Sequence, residues 1–130
     1  MAKKKSKKSL EKKKILIVED EANIAKAEEI ILNGDYEVAV ANDGDAGLKM
    51  VKELRPDLIV LDLMLPKRGG YDLCFNVRQD KAIKDTKILM VTAKNLTTDK
   101  DKGMLVGADD YLTKPFAPDD LLNRVNKLLK

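Results

Sequence analysis

The sequence predicts one α/β domain, doubly wound around a five-stranded parallel sheet. Three observations carry that expectation. Five short apolar runs, most of them rich in β-branched residues, recur along the 130 residues. The segments between them place apolar residues at helical spacing. The length lies in the single-domain range. Strands that alternate with helices through such short connections are joined by right-handed βαβ crossovers, which cover a parallel sheet on both faces.

Residues 14–19 (KILIVE) form a continuous apolar run suited to a strand buried on both faces, and the run ends directly on the acidic EDE. From 21 to 33, Ile24, Ala27, Ile30 and Ile31 fall at helical spacing, and Asn33-Gly34 is a C-terminal stop. Residues 36–41 (YEVAVA) are the second strand, after which Asn42-Asp43-Gly44 turns into a second helix with Leu48, Val51 and Leu54 on its apolar face. Arg55-Pro56 ends that helix, because the residue before a proline is pushed out of the α region. Residues 57–62 (DLIVLD) make a third strand that again ends on a carboxylate, Asp62. A loop over 65–70 leads to a third helix whose apolar residues are Tyr71, Cys74, Phe75 and Val77. Residues 87–92 (KILMVT) are the fourth strand, followed by a polar fourth helix at about 97–106 with Met104 and Leu105 as its apolar contacts. The fifth strand, 108–113, is short and interrupted by Asp109-Asp110. The fifth helix, 118–130, carries an amphipathic stripe of Leu121, Leu122, Val125, Leu128 and Leu129. That stripe and Cys74 read as packing, with no catalytic role.

Composition excludes several classes. A 44% hydrophobic and 36% charged chain with a mean hydropathy of −0.33 is an ordinary globular balance. No apolar run approaches the ~20 residues that span a bilayer. The lysine-rich N-terminus has no apolar core of a secretory signal, so a cytoplasmic location is expected. One cysteine forms no internal disulfide, and the lack of histidine disfavours zinc sites and Ser/His or Cys/His hydrolases. Any metal must therefore be oxygen-ligated. The formal charge of +3 conceals a split: residues 1–14 hold eight lysines and one glutamate, and the remaining 17 basic and 21 acidic side chains give −4. Residues 1–13 are expected to be a basic, disordered leader and 14–130 the folded domain. A solvated extension is the first reading of the leader and an electrostatic contact with nucleic acid, anionic lipid or an acidic partner the second. No aromatic is interleaved with the lysines, which weakens binding to single strands by stacking.

In a doubly wound sheet, ligands gather beyond the carboxyl ends of the strands, at the point where strand order reverses. Those ends deliver Glu19 and Asp20, Asp62, Thr92 and, after the fifth strand, Lys114. Crowded carboxylates repel unless a cation neutralises them, and with oxygen ligands the hard ion Mg²⁺ is the natural candidate. A carboxylate set between a metal, a hydroxyl and an ammonium suits phosphoryl transfer, with Asp62 as nucleophile. Taken singly, each residue has a plainer reading: Asp62 as a turn cap, Glu19 and Asp20 as caps of the first helix, Thr92 and Lys114 as surface residues. Their joint order along four strand ends favours the site.

The segments ILIVEDE, IVLDLMLP, GGYDL, ILMVTAK and GADDYLTKPF, in this order, closely resemble the motifs of a two-component response-regulator receiver domain. The resemblance runs from Lys14 to Leu129. It implies a flavodoxin-like receiver fold with strand order 2-1-3-4-5, a phosphoprotein accepting its phosphoryl group at Asp62, and Mg²⁺ held by Glu19, Asp20, Asp62 and the backbone carbonyl of Met64. Thr92 matches the switch hydroxyl, Lys114 the lysine that pairs with the phosphoryl, Tyr111 the aromatic that rotates inward on activation, and Pro115 the position of a cis proline. A phosphoryl group adds about −1.5 to −2 charges and new acceptor oxygens, so Thr92 can move toward it and vacate space for Tyr111, reshaping the face made by the fourth helix, fifth strand and fifth helix. Lys100, Asp110, Asp120 and Arg124 resemble the charged residues through which transcription-factor receivers pair on that face, which implies a weak homodimer promoted by phosphorylation. Two departures stand out: the stretch between Asp20 and Tyr36 is about one residue short, and Gly47 replaces a usual alanine at about 1 kcal/mol if interior. Met64 and Lys94 occupy positions that tune dephosphorylation in this family.

The phosphohistidine must come from a sensor histidine kinase or a histidine phosphotransfer protein, because this chain has no histidine. The protein is then a phosphoacceptor regulator of a phosphorelay and not an enzyme beyond its own phosphorylation and dephosphorylation. A downstream protein effector, or an output domain missing from this chain, would read the switch. Three rivals are weaker. A haloacid-dehalogenase-type hydrolase wants a second aspartate where Met64 stands. A flavodoxin-like cofactor binder wants a Ser/Thr/Gly-rich loop where Glu19-Asp20-Glu21 would repel phosphate. An unphosphorylated pseudo-receiver acting as a docking module would not need the full acidic set with Lys114.

Overall fold

A computed structural model describes residues 12–93 and 107–130. Its elements are β1 (Lys14–Val18), α1 (Ala22–Leu32), β2 (Glu37–Ala41), α2 (Gly44–Leu54), β3 (Leu58–Asp62), α3 (Gly70–Gln79), β4 (Lys87–Thr92), β5 (Asp110–Thr113) and α4 (Pro118–Leu128). The five strands are all parallel and lie in the order β2-β1-β3-β4-β5. The expected helix at about 97–106, with Lys100, Met104 and Leu105, falls outside the described residues, as do Lys94 and the leader through residue 11. Hence α4 is the C-terminal helix, the fifth in the sequence expectation.

The unbroken apolar runs are explained by two cores rather than one. Successive strand residues point to opposite faces. Leu16, Val18, Ile59, Leu61, Ile88 and Met90 therefore pack against Val51 of α2 and Leu73, Cys74 and Val77 of α3. Ile15, Ile17, Leu58, Val60, Leu89 and Val91 pack on the other side against Leu32 of α1 and Leu121 and Val125 of α4. Each buried aliphatic side chain contributes about 1.5–3 kcal/mol relative to exposure, so the sheet is the rigid part on which the strand ends are fixed.

Two expectations are corrected. In α3 the buried stripe is Gly70, Leu73, Cys74 and Val77, while Tyr71 and Phe75 are exposed at 44% and 53%. Both sets fit a 3.6-residue period, and only Gly70, lying against the backbone of Asp62 and Leu63, shows which one faces inward. In α1 the innermost stripe is Ala25, Glu28 and Leu32, and Ile30 is 67% exposed. α1 also ends without a left-handed glycine: the Asn33 N–H donates to the Glu29 carbonyl, and those of Asp35 and Tyr36 both donate to that of Leu32. That is how the shortened connection closes. At the end of α2, Arg55 itself takes the left-handed conformation before Pro56, at φ 48°.

Asp109 strengthens the sheet edge. The Asp109 carboxylate accepts from the Ile88 backbone N–H at 2.8 Å and from Arg78 at 3.0 Å, and Arg78 also donates to the carbonyls of Gly107, Lys84 and Thr86. One guanidinium thus fastens the end of α3 to the approaches of β4 and β5. Gly47 is likewise no defect. A Cβ built there would lie 2.9 Å from Val18 Cγ1 and 3.0 Å from Leu73 Cδ1, and the β-branched Val18 cannot turn away inside the sheet. Gly47→Ala gains about 1 kcal/mol of helix propensity but overpacks the core at about 1–3 kcal/mol. A net loss of about 1 kcal/mol is expected, read as a lower urea midpoint with an unchanged slope.

Candidate functional site

The carboxyl ends of the strands bring the sequence-predicted residues together. Glu19, one residue beyond β1, is anchored by its N–H to the Ala41 carbonyl at the end of β2. Asp62 is the last residue of β3, and the next N–H, that of Leu63, donates to the Val91 carbonyl at 3.1 Å. Thr92 closes β4, and its carbonyl accepts from the Lys114 N–H at 2.8 Å. The peptide between Lys114 and Pro115 is cis, as the resemblance implied. Beneath the site, Gly70 is fixed by close approach: a Cβ there would stand 2.3 Å from the Asp62 carbonyl oxygen. The start of α3 can press against the Asp62 backbone only as glycine.

The Lys114 ammonium donates to Glu19 Oε1 at 2.7 Å and to Asp62 Oδ2 at 3.3 Å. The other oxygen of Asp62 accepts from the Met64 N–H at 3.1 Å, and Glu19 Oε2 from the Glu21 N–H at 3.2 Å. Glu19 is 1% exposed and Asp62 7%. Carboxylate oxygens of Glu19, Asp20 and Asp62 all lie within 4.8 Å of one another. Burial raises the Glu19 pKa, the Asp62 charge adds to it, and the Lys114 and Glu21 hydrogen bonds offset it only in part. Burial opposes the Lys114 charge, but its hydrogen bond to Glu19 and the charges of Asp62 and Glu19 leave its pKa above the ordinary value. One ammonium faces three carboxylates, a set short of positive charge, and its all-oxygen donors fit a hard divalent cation.

The plainer readings separate here. Asp62 does cap a turn, through Met64, and also faces Lys114. Glu19 and Asp20 do not cap α1, whose N-cap is Glu21 without a side-chain bond. Thr92 is fully buried, whereas Tyr111 is 38% exposed and faces outward. Asp110 and Arg124 pair with each other at 3.0 Å, Arg124 also donates to the Tyr111 carbonyl, and Asp120 accepts from the Ala117 N–H.

Beside the site opens a cavity of about 710 Å³ between α1 and the segment from Lys114 to Pro118 that follows β5, lined among others by Asp62, Lys114, Ile24, Glu28 and Phe116. Glu28 is the residue the sequence reading missed. It is 1% exposed, and among the described residues its Oε2 has no hydrogen-bond partner. Burial foremost, then the Glu19 charge, raises its pKa to about 8, with Asp62 adding and Lys114 opposing. The available signal was its place three residues after Ala25 and four before Leu32, on the inner stripe.

A response regulator receiver domain profile matches residues 15–126. The DNA-binding response regulator MtrA of Mycobacterium tuberculosis (strain H37Rv) is 44% identical over 120 residues, 92% of this chain and 51% of that protein. The alkaline phosphatase synthesis transcriptional regulatory protein PhoP of Bacillus subtilis is 45% identical over 91% of this chain and 49% of its own length. The chain thus spans about half the length of these relatives. A response regulator structure from Chloroflexus aurantiacus superposes with a TM-score of 0.83 at 40% identity, covering 90% of this chain and 97% of that one. The chain belongs to the response-regulator receiver family of two-component systems, whose domains act with histidine kinases and typically bind Mg²⁺ in an acidic pocket. Among the described residues, no helix is long and apolar enough to cross a membrane.

The raised Glu28 pKa fixes a sign. Between its ordinary value and about 8 the folded state holds a proton that the unfolded state has released, so this contribution is full below about 4.5 and is lost as pH rises through about 8. In chelator-containing buffer the urea midpoint is expected to fall from pH 5 to pH 8, and to fall less in Glu28→Gln. Glu28→Leu, which removes the orphaned oxygen, is expected to be about 1–3 kcal/mol more stable at neutral pH.

Proposed function

We propose that Asp62 accepts a phosphoryl group from the phosphohistidine of a sensor histidine kinase or histidine phosphotransfer protein, in a reaction that needs Mg²⁺. The observation that carries this reading is the single ammonium of Lys114 held between the buried carboxylates of Glu19 and Asp62. An Asp62 carboxylate oxygen forms the new bond to phosphorus as the bond to the donor imidazole nitrogen breaks, and that nitrogen leaves with the electron pair. Glu19, Asp20, Asp62 and the Met64 carbonyl would hold Mg²⁺, which supplies charge stabilisation to the transferring oxygens. Lys114 meets the same developing charge from the other side, and Met64 N–H keeps the Asp62 carboxylate oriented.

In this reading Thr92 donates to the phosphoryl oxygens and Tyr111 turns inward, so that β5 and α4, with Lys100 outside the described residues, become the surface read by a partner. Asp110, Asp120 and Arg124 sit on that surface. Because Asp110 and Arg124 are already paired within the chain, an intermolecular pairing would exchange one bond for another and be weak. In this reading 14–130 is the receiver and 1–13 a basic leader, whose Lys13 carbonyl accepts from the Glu37 N–H at the start of β2. An unphosphorylated docking role has no comparable support, since it gives the acidic cluster no task.

Incubation with acetyl phosphate and Mg²⁺ is expected to add one phosphoryl group by intact mass. Asp62→Asn or EDTA should abolish the adduct, and a folded wild type that gains none would overturn the reading. Sedimentation velocity with and without beryllofluoride is expected to move a fraction of the monomer to dimer only with the mimic, and Arg124→Ala to reduce that fraction.

A further inference from the structure

We propose that Glu28 is a positioning residue for Lys114: its buried carboxyl, whose Oε2 has no partner among the described residues, is the acceptor that keeps the ammonium beside Asp62 once a cation draws Glu19 and Asp62 to itself. The inference rests on the phosphoacceptor reading of the same site. In the described state Lys114 uses two of its three N–H donors, on Glu19 and on Asp62. Both acceptors are also metal candidates, so a bound cation competes for the oxygens that hold the lysine. Glu28 lines the same cavity as Asp62 and Lys114, and its carboxyl feels the charges of Glu19, Asp62 and Lys114. Its Oε2 is buried with no partner among the described residues, and an orphaned buried oxygen is costly to retain. Leucine would fill this position on the inner stripe of α1 without that cost. A polar atom kept there, between Ala25 and Leu32 and in reach of the field of Lys114, has the chemistry of a waiting hydrogen-bond acceptor.

The test compares Glu28→Leu, which keeps bulk and removes the acceptor, with Glu28→Gln, which keeps an acceptor oxygen. With acetyl phosphate at saturating Mg²⁺, Glu28→Leu is expected to be phosphorylated about ten-fold more slowly, the loss of one hydrogen bond to a charged group, and Glu28→Gln to recover most of that loss. The second readout needs no reaction. In ¹⁵N-lysine NMR with Mg²⁺ alone, the Lys114 ammonium, identified by its loss in Lys114→Arg, should be protected from solvent exchange in the wild type and in Glu28→Gln and exposed in Glu28→Leu. Equal rates in all three proteins, or equal ammonium protection in wild type and Glu28→Leu, would overturn the assignment. If the wild type takes up no phosphoryl group, the phosphoacceptor reading fails, and the NMR comparison still decides whether Glu28 holds Lys114.

Discussion

The ammonium of Lys114, set between Glu19 and Asp62, is the interaction on which the rest of the site depends. Two carboxylates that are almost wholly buried cannot both stay ionised in an apolar setting without a counter-charge. Lys114 supplies one positive charge, and Asp20 at the rim adds a third carboxylate to the same few ångströms. The site therefore has one cation bound covalently to the chain and an appetite for another. Its position follows from sheet order. β1 and β3 are neighbours at the point where the order 2-1-3-4-5 reverses, so their carboxyl ends bring Glu19 and Asp62 side by side. The lysine arrives from beyond β5, and its main chain is tied to Thr92 at the end of β4. Four strand ends must keep their relative heights within hydrogen-bond tolerance for one charge cluster to form.

That tolerance is what the double core provides. Every residue of β3 is buried, and alternate residues of β1, β3 and β4 feed opposite faces of the sheet. The floor of the site is also closed by backbone contact, with Gly70 against Asp62 and the Leu63 N–H on Val91. A shift of Asp62 would have to move both cores and the first turn of α3 together. The electrostatic tension at the strand ends is thus borne by packing that has no polar function of its own.

Much of this was legible in the sequence because it rests on local rules. Uninterrupted apolar runs ending on Glu19, Asp62 and Thr92 gave both the strands and the convergence of the site, and Arg55-Pro56 gave the end of α2. Where the reading failed, a tertiary contact overruled a local rule. Gly47 looked like a weakness until Val18 and Leu73 filled the space of its absent side chain. Asp109 looked like an interruption until its carboxylate stood in for a strand partner of Ile88. Tyr71 and Phe75 match a helical period as well as Leu73 and Val77 do, and no local rule ranks a glycine as the centre of a buried face. Glu28 escaped for a similar reason: a charged residue is assigned outward by composition, and only the positions of Ala25 and Leu32 on either side place it inward.

The same contrast bears on how a change at Asp62 could reach the surface. Arg78 makes four bonds that fix α3 to the entries of β4 and β5, on the side of the sheet away from the strand ends. Tyr111 lies on the edge strand β5, which pairs with β4 on one side of the described sheet; its side chain is partly exposed and its carbonyl accepts from Arg124 of α4. Under the proposed function, a perturbation of Thr92 and Lys114 would meet the entries tied by Arg78 on one side and the edge strand with Tyr111 and Arg124 on the other. Because a packed sheet is stiff and surface ion pairs are worth little, the proposed switch would meet least resistance at the β5–α4 edge. On the proposed function, the burial that makes the charge cluster possible would also favour that edge as the surface that reports its state.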